Sequence, residues 1–169
     1  MNNRILQQLY ETYGKEIYLY LYFLCRNHYM AEDLCQETFV KAILSLSESH
    51  TNMRAWLYMV ARNLCFNRMK KEMRLYPLEE EQEKPAIIDD KADILETVIK
   101  DEYIGALYQG LSRLSREKRE ILTMQYFGGL PQKEIAAVLN LTPENIRVLA
   151  YRAKRELKSY MEENGYDIP

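Results

Sequence analysis

Two runs of apolar residues at helical spacing, separated by Asn140-Leu141-Thr142-Pro143, constrain this chain more than any other feature. Before the break stand Ile135, Ala136 and Leu139; after it stand Ile146, Leu149, Ala150, Ala153 and Leu157, at intervals of three and four. That period makes two short amphipathic helices, and the break sets the turn between them. Asn140 enters the left-handed region at less cost than most non-glycine residues, so it can end the first helix sharply. Thr142 is placed to cap the second helix, with Pro143 at its first position, where a missing N–H costs nothing. The second helix turns Glu144, Asn145, Arg147, Val148, Tyr151 and Arg152 outward. This pattern predicts a helix-turn-helix with a polar, partly basic outer face. Two readings stand side by side: a packed helical hairpin with a solvated face, or a helix that enters a DNA major groove.

The rest of the chain repeats the helical period. Glycine and proline total only 11 of 169 residues and no long β-branched run occurs, so the predicted fold class is all-α. Residues 3–27 place Leu6, Leu9, Tyr10, Tyr13, Ile17, Leu21 and Leu24 on one stripe, which Tyr18, Tyr20 and Tyr22 widen. Residues 30–46 bury Leu34, Cys35, Thr38, Phe39, Ala42, Ile43 and Leu46 by the same rule. Their opposite side gathers Asp33, Gln36 and Glu37, a face suited to a basic partner. The competing account is helix-dipole stabilisation by Glu32 and Asp33 in a first turn, which does not extend to Gln36 or Glu37.

Residues 45–53 are polar and aperiodic, a loop that contains Ser47 and ends near Thr51 and Asn52, either of which is a candidate cap. The helix predicted over 54–74 carries Arg54, Arg62, Arg68, Lys70, Lys71 and Arg74 against the single acid Glu72. With Trp56 and Tyr58 near the loop, the segment has the makings of a surface that holds a phosphate backbone and unpaired bases. A solvated charged face over a buried Trp56 is the alternative.

Charge divides the chain into three. Residues 1–75 carry 10 Lys+Arg against 7 Asp+Glu, residues 76–102 carry 3 against 10, and residues 103–169 carry 10 against 8. An acidic linker over 76–102, with a helix starting near Ile94, therefore joins two mildly basic helical domains. In the last domain Tyr103, Ile104, Leu107, Leu111 and Leu114 form one helical stripe. Ser115 then caps a helix with Ile121, Leu122, Met124 and Phe127 as core, ended by Gly128-Gly129.

Other classes find little in the residues. Cys25, Cys35 and Cys65 form no CxxC pair, and His28 and His50 have no metal-ligand spacing, so no metal and no cofactor is expected. No phosphate loop or nucleophile elbow points to an enzyme or a small-molecule substrate. No stretch approaches the roughly 20 apolar residues of a membrane span, and no leader pattern opens the chain. The expectation is a cytoplasmic protein without direct membrane insertion.

Three segments, in order, resemble the extracytoplasmic-function sigma factors of the sigma-70 family. They are AEDLCQETFVKA (31–42), RAWLYMVARNL (54–64), and LSREKREIL with YFGGLPQKEIAAVLNLTPENIRVLAYRAKREL (within 114–157). The resemblance implies a first domain over 1–75, the acidic linker over 76–102 and a second domain over 103–169. It assigns Asp33, Gln36 and Glu37 to docking on core RNA polymerase. Ser47, Asn52, Arg54, Tyr58, Arg62 and Asn63 fall to the unwound minus-ten promoter element. Glu144, Asn145, Arg147, Val148, Tyr151 and Arg152 fall to duplex DNA at the minus-thirty-five element. It also implies an anti-sigma factor as a partner, one that holds the chain at the inner face of the membrane. Asn67, Pro131, Asn140 and Leu149 depart from the family pattern, which more often has Asp, Ser, Gly and Arg there. A free-standing helix-turn-helix regulator and a protein-only helical adaptor are the rival readings. The first requires tight DNA binding without polymerase, and the second leaves the basic 54–74 helix without a role.

Overall fold

The computed structural model describes residues 2–45, 52–75 and 102–167. Among them are seven helices and no strand: α1 (Asn2–Cys25), α2 (His28–Leu44), α3 (Met53–Leu75), α4 (Glu102–Arg113), α5 (Arg116–Tyr126), α6 (Gln132–Leu139) and α7 (Pro143–Glu163). The chain divides into two compact units, Met1–Lys84 and Pro85–Pro169. The acidic segment expected as a linker lies outside the described residues apart from Glu102, which opens α4, and so does the helix start expected near Ile94.

In the first unit α1 packs against both α2 and α3, which also pack on each other. A helix with partners on two sides loses its polar face where they meet, and every residue from Ile17 to Leu24 is buried. Tyr18, Tyr20 and Tyr22 thus belong to the core. Tyr18 and Tyr22 stack on each other with centroids 6.3 Å apart, whereas Tyr20 meets Tyr58 of α3 edge to face at 5.0 Å and 67°, as Tyr10 meets Phe39 of α2 at 5.3 Å. Arg26, with φ of 54°, turns the chain after α1, and the Asn27 side chain caps α2 by accepting from the Met30 amide at 3.0 Å. Because α2 starts at His28, Glu32 and Asp33 lie beyond its first turn, and the dipole account of these acids fails. Burial pushes the Cys35 thiol up to about 12, so it serves as packing rather than as a nucleophile. Trp56, the chain's only tryptophan, is half-buried in the first turn of α3.

The second unit is organised by α7, which contacts α4, α5 and α6. Ile146, Ala150, Ala153, Leu157 and Met161 are its buried stripe. Ser115 caps α5 through the Lys118 amide, and Gly129, at φ of 63°, turns the chain out of that helix. Phe127, expected in the core, is 37% exposed at the C-cap. Asn140 sits in the left-handed region at φ 57° and ψ 45°, and the Leu141 amide returns to the Ala136 carbonyl at 3.0 Å. Thr142 accepts from the Asn145 amide at 3.2 Å and Pro143 opens α7. Pro131 starts α6 without a side-chain cap.

Candidate functional site

The acidic face of the first unit is held from across the bundle. Asp33, Gln36 and Glu37 are exposed on α2. Arg68 of α3 forks between two of them, with Nη1 donating to Asp33 Oδ2 at 2.6 Å and Nη2 to Glu37 Oε2 at 3.4 Å. The hydrogen bond to Asp33 raises the Arg68 pKa further, against the smaller opposing effect of desolvation. The carboxylates are 57% and 50% exposed, so solvent screens the pairs and each contributes about 0–1 kcal/mol. Gln36 borders an open groove of about 450 Å³ between α1 and α2, with Tyr10, Phe39 and Val40 also lining it. Charge and apolar surface therefore adjoin, as they do at protein interfaces.

The predicted minus-ten residues divide into different environments. Ser47 lies outside the described residues. Asn52 caps α3, its Oδ1 accepting from the Ala55 amide at 3.0 Å. Arg54 follows in the first turn, 41% exposed, with its guanidinium 5.2 Å from the Tyr13 ring centroid. Arg62 stacks over Phe66 at 4.4 Å, and Asn63 is exposed. Tyr58 corrects the sequence expectation: it is 0% exposed, packed on Tyr20, and its hydroxyl donates to Glu16 Oε1 at 3.1 Å. A side chain so enclosed offers no surface to DNA. Burial, then the Glu16 charge, drives its phenol pKa upward, so it stays a neutral donor.

Glu16 is the residue that sequence reasoning missed. Its side chain is 13% exposed, and Oε1 accepts from both Arg54 Nε and Tyr58, each at 3.1 Å. Desolvation raises its pKa, partly offset by Arg54 and by the two hydrogen bonds. The available signal was its position: three residues after Tyr13 and four before Tyr20, a carboxylate on the buried side of α1.

In the second unit Glu144, Asn145, Arg147, Val148, Tyr151 and Arg152 are all exposed on α7, the last five residues of this set covering two turns opposite Ile146 and Ala150. Tyr151 is 62% exposed and lies 5.8 Å under the Arg155 guanidinium. Leu149 is half-buried, an apolar residue at the edge of the stripe. An α-helix presented this way fits the width of a major groove. Among the described residues no group of three or more His, Cys, Asp or Glu could hold a metal ion, and no helix is long and apolar enough to cross a membrane.

Residues 9–75 match the family model of Sigma-70 region 2, and residues 104–157 match that of Sigma-70, region 4. RNA polymerase sigma factor YlaC of Bacillus subtilis is 30% identical, covering 92% of this chain and 91% of its own length. The chain belongs to the extracytoplasmic-function sigma factors of the sigma-70 family. This sigma factor is also 26% identical to the ECF RNA polymerase sigma factor SigM of Bacillus subtilis, over 91% of this chain and 93% of the relative. The sigma factor RpoE of Bartonella quintana, solved in complex with the anti-sigma factor NepR, shares the fold with a TM-score of 0.70 and 23% identity. The match covers 92% of this chain and 96% of that one. As a sigma factor the protein is a transcription initiation factor that serves RNA polymerase, and not an enzyme.

Proposed function

We propose that this sigma factor grips a promoter at two points while bound to core RNA polymerase. Asp33, Gln36 and Glu37 form the docking face on core enzyme, with the adjoining apolar groove as part of the contact. Arg54, Arg62 and Asn63, with the segment from Ser47 to Asn52, take the unpaired minus-ten strand. Tyr58 acts from within the core and touches no base. The α7 residues Glu144, Asn145, Arg147, Val148, Tyr151 and Arg152 read the minus-thirty-five duplex. Residues 76–102 serve as the linker between the two domains, 1–75 and 103–169. The protein works in the cytoplasm and is restrained at the inner membrane face by an anti-sigma factor, a partner class supported by the RpoE–NepR complex.

The observation that carries this reading is the α7 face: six polar or exposed side chains on one side of a helix whose other side is fully buried, behind a tight Asn140 turn. Neither domain has enough net positive charge to hold DNA tightly alone, because each phosphate contact is modest and weakens with salt. Tethering makes the second contact intramolecular, which raises its effective concentration. Capture of flipped bases offsets the few kcal/mol needed to unpair each one. Melting then proceeds from binding energy alone.

The test is promoter-directed run-off transcription and DNA binding with and without core enzyme. Specific binding is expected only with core; tight specific binding by the free chain would favour a stand-alone regulator. Arg147→Ala is expected to lose about 1–3 kcal/mol, with the loss concentrated at minus-thirty-five bases. A uniform loss across sequences would make Arg147 a phosphate contact.

A further inference from the structure

We infer that Glu16 is a positioning residue for the minus-ten face, fixing the Arg54 guanidinium at the start of α3. The inference rests on the reading of Arg54 as a minus-ten contact, and nothing in the family motifs above draws attention to Glu16. It stands on geometry first. One oxygen of a carboxylate on α1 receives Arg54 Nε and the Tyr58 hydroxyl, residues 38 and 42 positions away, at 3.1 Å each. Tyr13, one turn before Glu16, lies 5.2 Å from the same guanidinium. Arg54 is thus located by an acid and a ring, both supplied by α1. With Nε committed to Glu16, the donors left for a nucleic acid are the terminal amino groups, the edge a planar guanidinium uses for bidentate contacts. Arg54 retains 41% exposure, so this edge is open to a ligand while the stem is held.

The energetics argue against a purely stabilising role. A partly buried carboxylate whose pKa is raised in the folded state binds protons more readily there than in the unfolded chain. Its favourable contribution is present below the unfolded pKa and is lost as pH rises through the folded pKa. At neutral pH the ionised Glu16 is therefore a liability to stability that Arg54 and Tyr58 only partly compensate. A carboxylate so placed, aimed at an arginine in the first turn of α3, fits the holding of that arginine.

Glu16→Gln keeps the shape and removes the charge. In the full chain with core enzyme, its Tm is expected at or above native, its core affinity is expected unchanged, and promoter opening, read by permanganate reactivity of unpaired thymines, is expected to fall about fivefold or more. The discriminating readout is a double-mutant cycle with Arg54→Ala: in that background Glu16→Gln should cause no further loss of opening. Equal losses in both backgrounds would show that Glu16 acts by another route and overturn the inference. So would unchanged opening in Glu16→Gln where Arg54→Ala alone is defective, an outcome that leaves the minus-ten reading intact. A lowered Tm, up to failure to fold, would place Glu16 among the stabilising contacts and likewise overturn it. Normal opening by Arg54→Ala would defeat the minus-ten reading of Arg54 itself, and the inference with it.

Discussion

Replacing Glu37 by Lys tests the proposed docking face separately from folding. In the fold, Glu37 is one arm of the Arg68 fork, 3.4 Å from Nη2 and 50% exposed. Removing that arm forfeits a screened pair worth about 0–1 kcal/mol, and placing an ammonium near Arg68 adds a repulsion of similar size. Asp33 remains at 2.6 Å on Nη1 as the counter-charge, so the total penalty is about 1 kcal/mol. In a unit of this size that corresponds to a Tm decrease of about 4–8 °C, small enough to leave the bundle folded at working temperature. Docking is affected on a different scale. Reversing one member of a close interfacial charge pair costs about 2–5 kcal/mol, roughly 30- to several-thousand-fold in affinity. The measurement is a titration of fluorescently labelled sigma factor with core enzyme at two salt concentrations, alongside thermal unfolding of the free variant. Core affinity within twofold of native in a folded Glu37→Lys protein would refute the docking assignment. A Tm loss well above 10 °C would refute the assessment of the Arg68 fork as weak.

Two further outcomes are expected in the second unit. Gly110→Ala gains about 1 kcal/mol in helix propensity, but its Cβ would stand 2.6 Å from Leu157 Cδ1 and 2.9 Å from Tyr160 Cδ1. Overpacking of this kind costs about 1–3 kcal/mol, so thermal unfolding should show a net loss; a raised Tm would mean that α4 and α7 separate at no cost. Thr142→Ala removes the α7 cap and should destabilise by about 1 kcal/mol, with faster hydrogen exchange at the Asn145 amide; unchanged exchange there would show the cap to be dispensable.

The second unit was the more legible in sequence because its signals are local. Asn140, Thr142 and Pro143 act within a turn of one another, so the turn and the start of α7 are set locally. In the first unit, periodicity located α1, α2 and α3 to within two residues at nearly every end, yet it misjudged Tyr58 and left Arg68 as a solvated cation. Period assigns a face to a helix but not a partner to a face. Tyr58 lies on the flank of α3 turned to α1, and Arg68 reaches α2, so both depend on how three helices meet. The first turn of α2 was misread for a simpler reason: Asn27 caps the helix three residues before the predicted segment begins at Met30, which moved Glu32 and Asp33 inward. Glu16 carried a readable sign, an acid at stripe spacing, but the pairing that gives it meaning spans about 40 residues.

The placement of Trp56 has a practical corollary. The chain holds 14 tyrosines but a single tryptophan, and that one is half-buried within the first of two units. Emission excited selectively at the indole therefore reports on one unit alone, whereas circular dichroism sums the helices of both. Comparing the two melting curves on the unlabelled, unmodified chain gives the stability of each unit separately. The difference between the curves is then a direct measure of how independently the two halves of this sigma factor unfold.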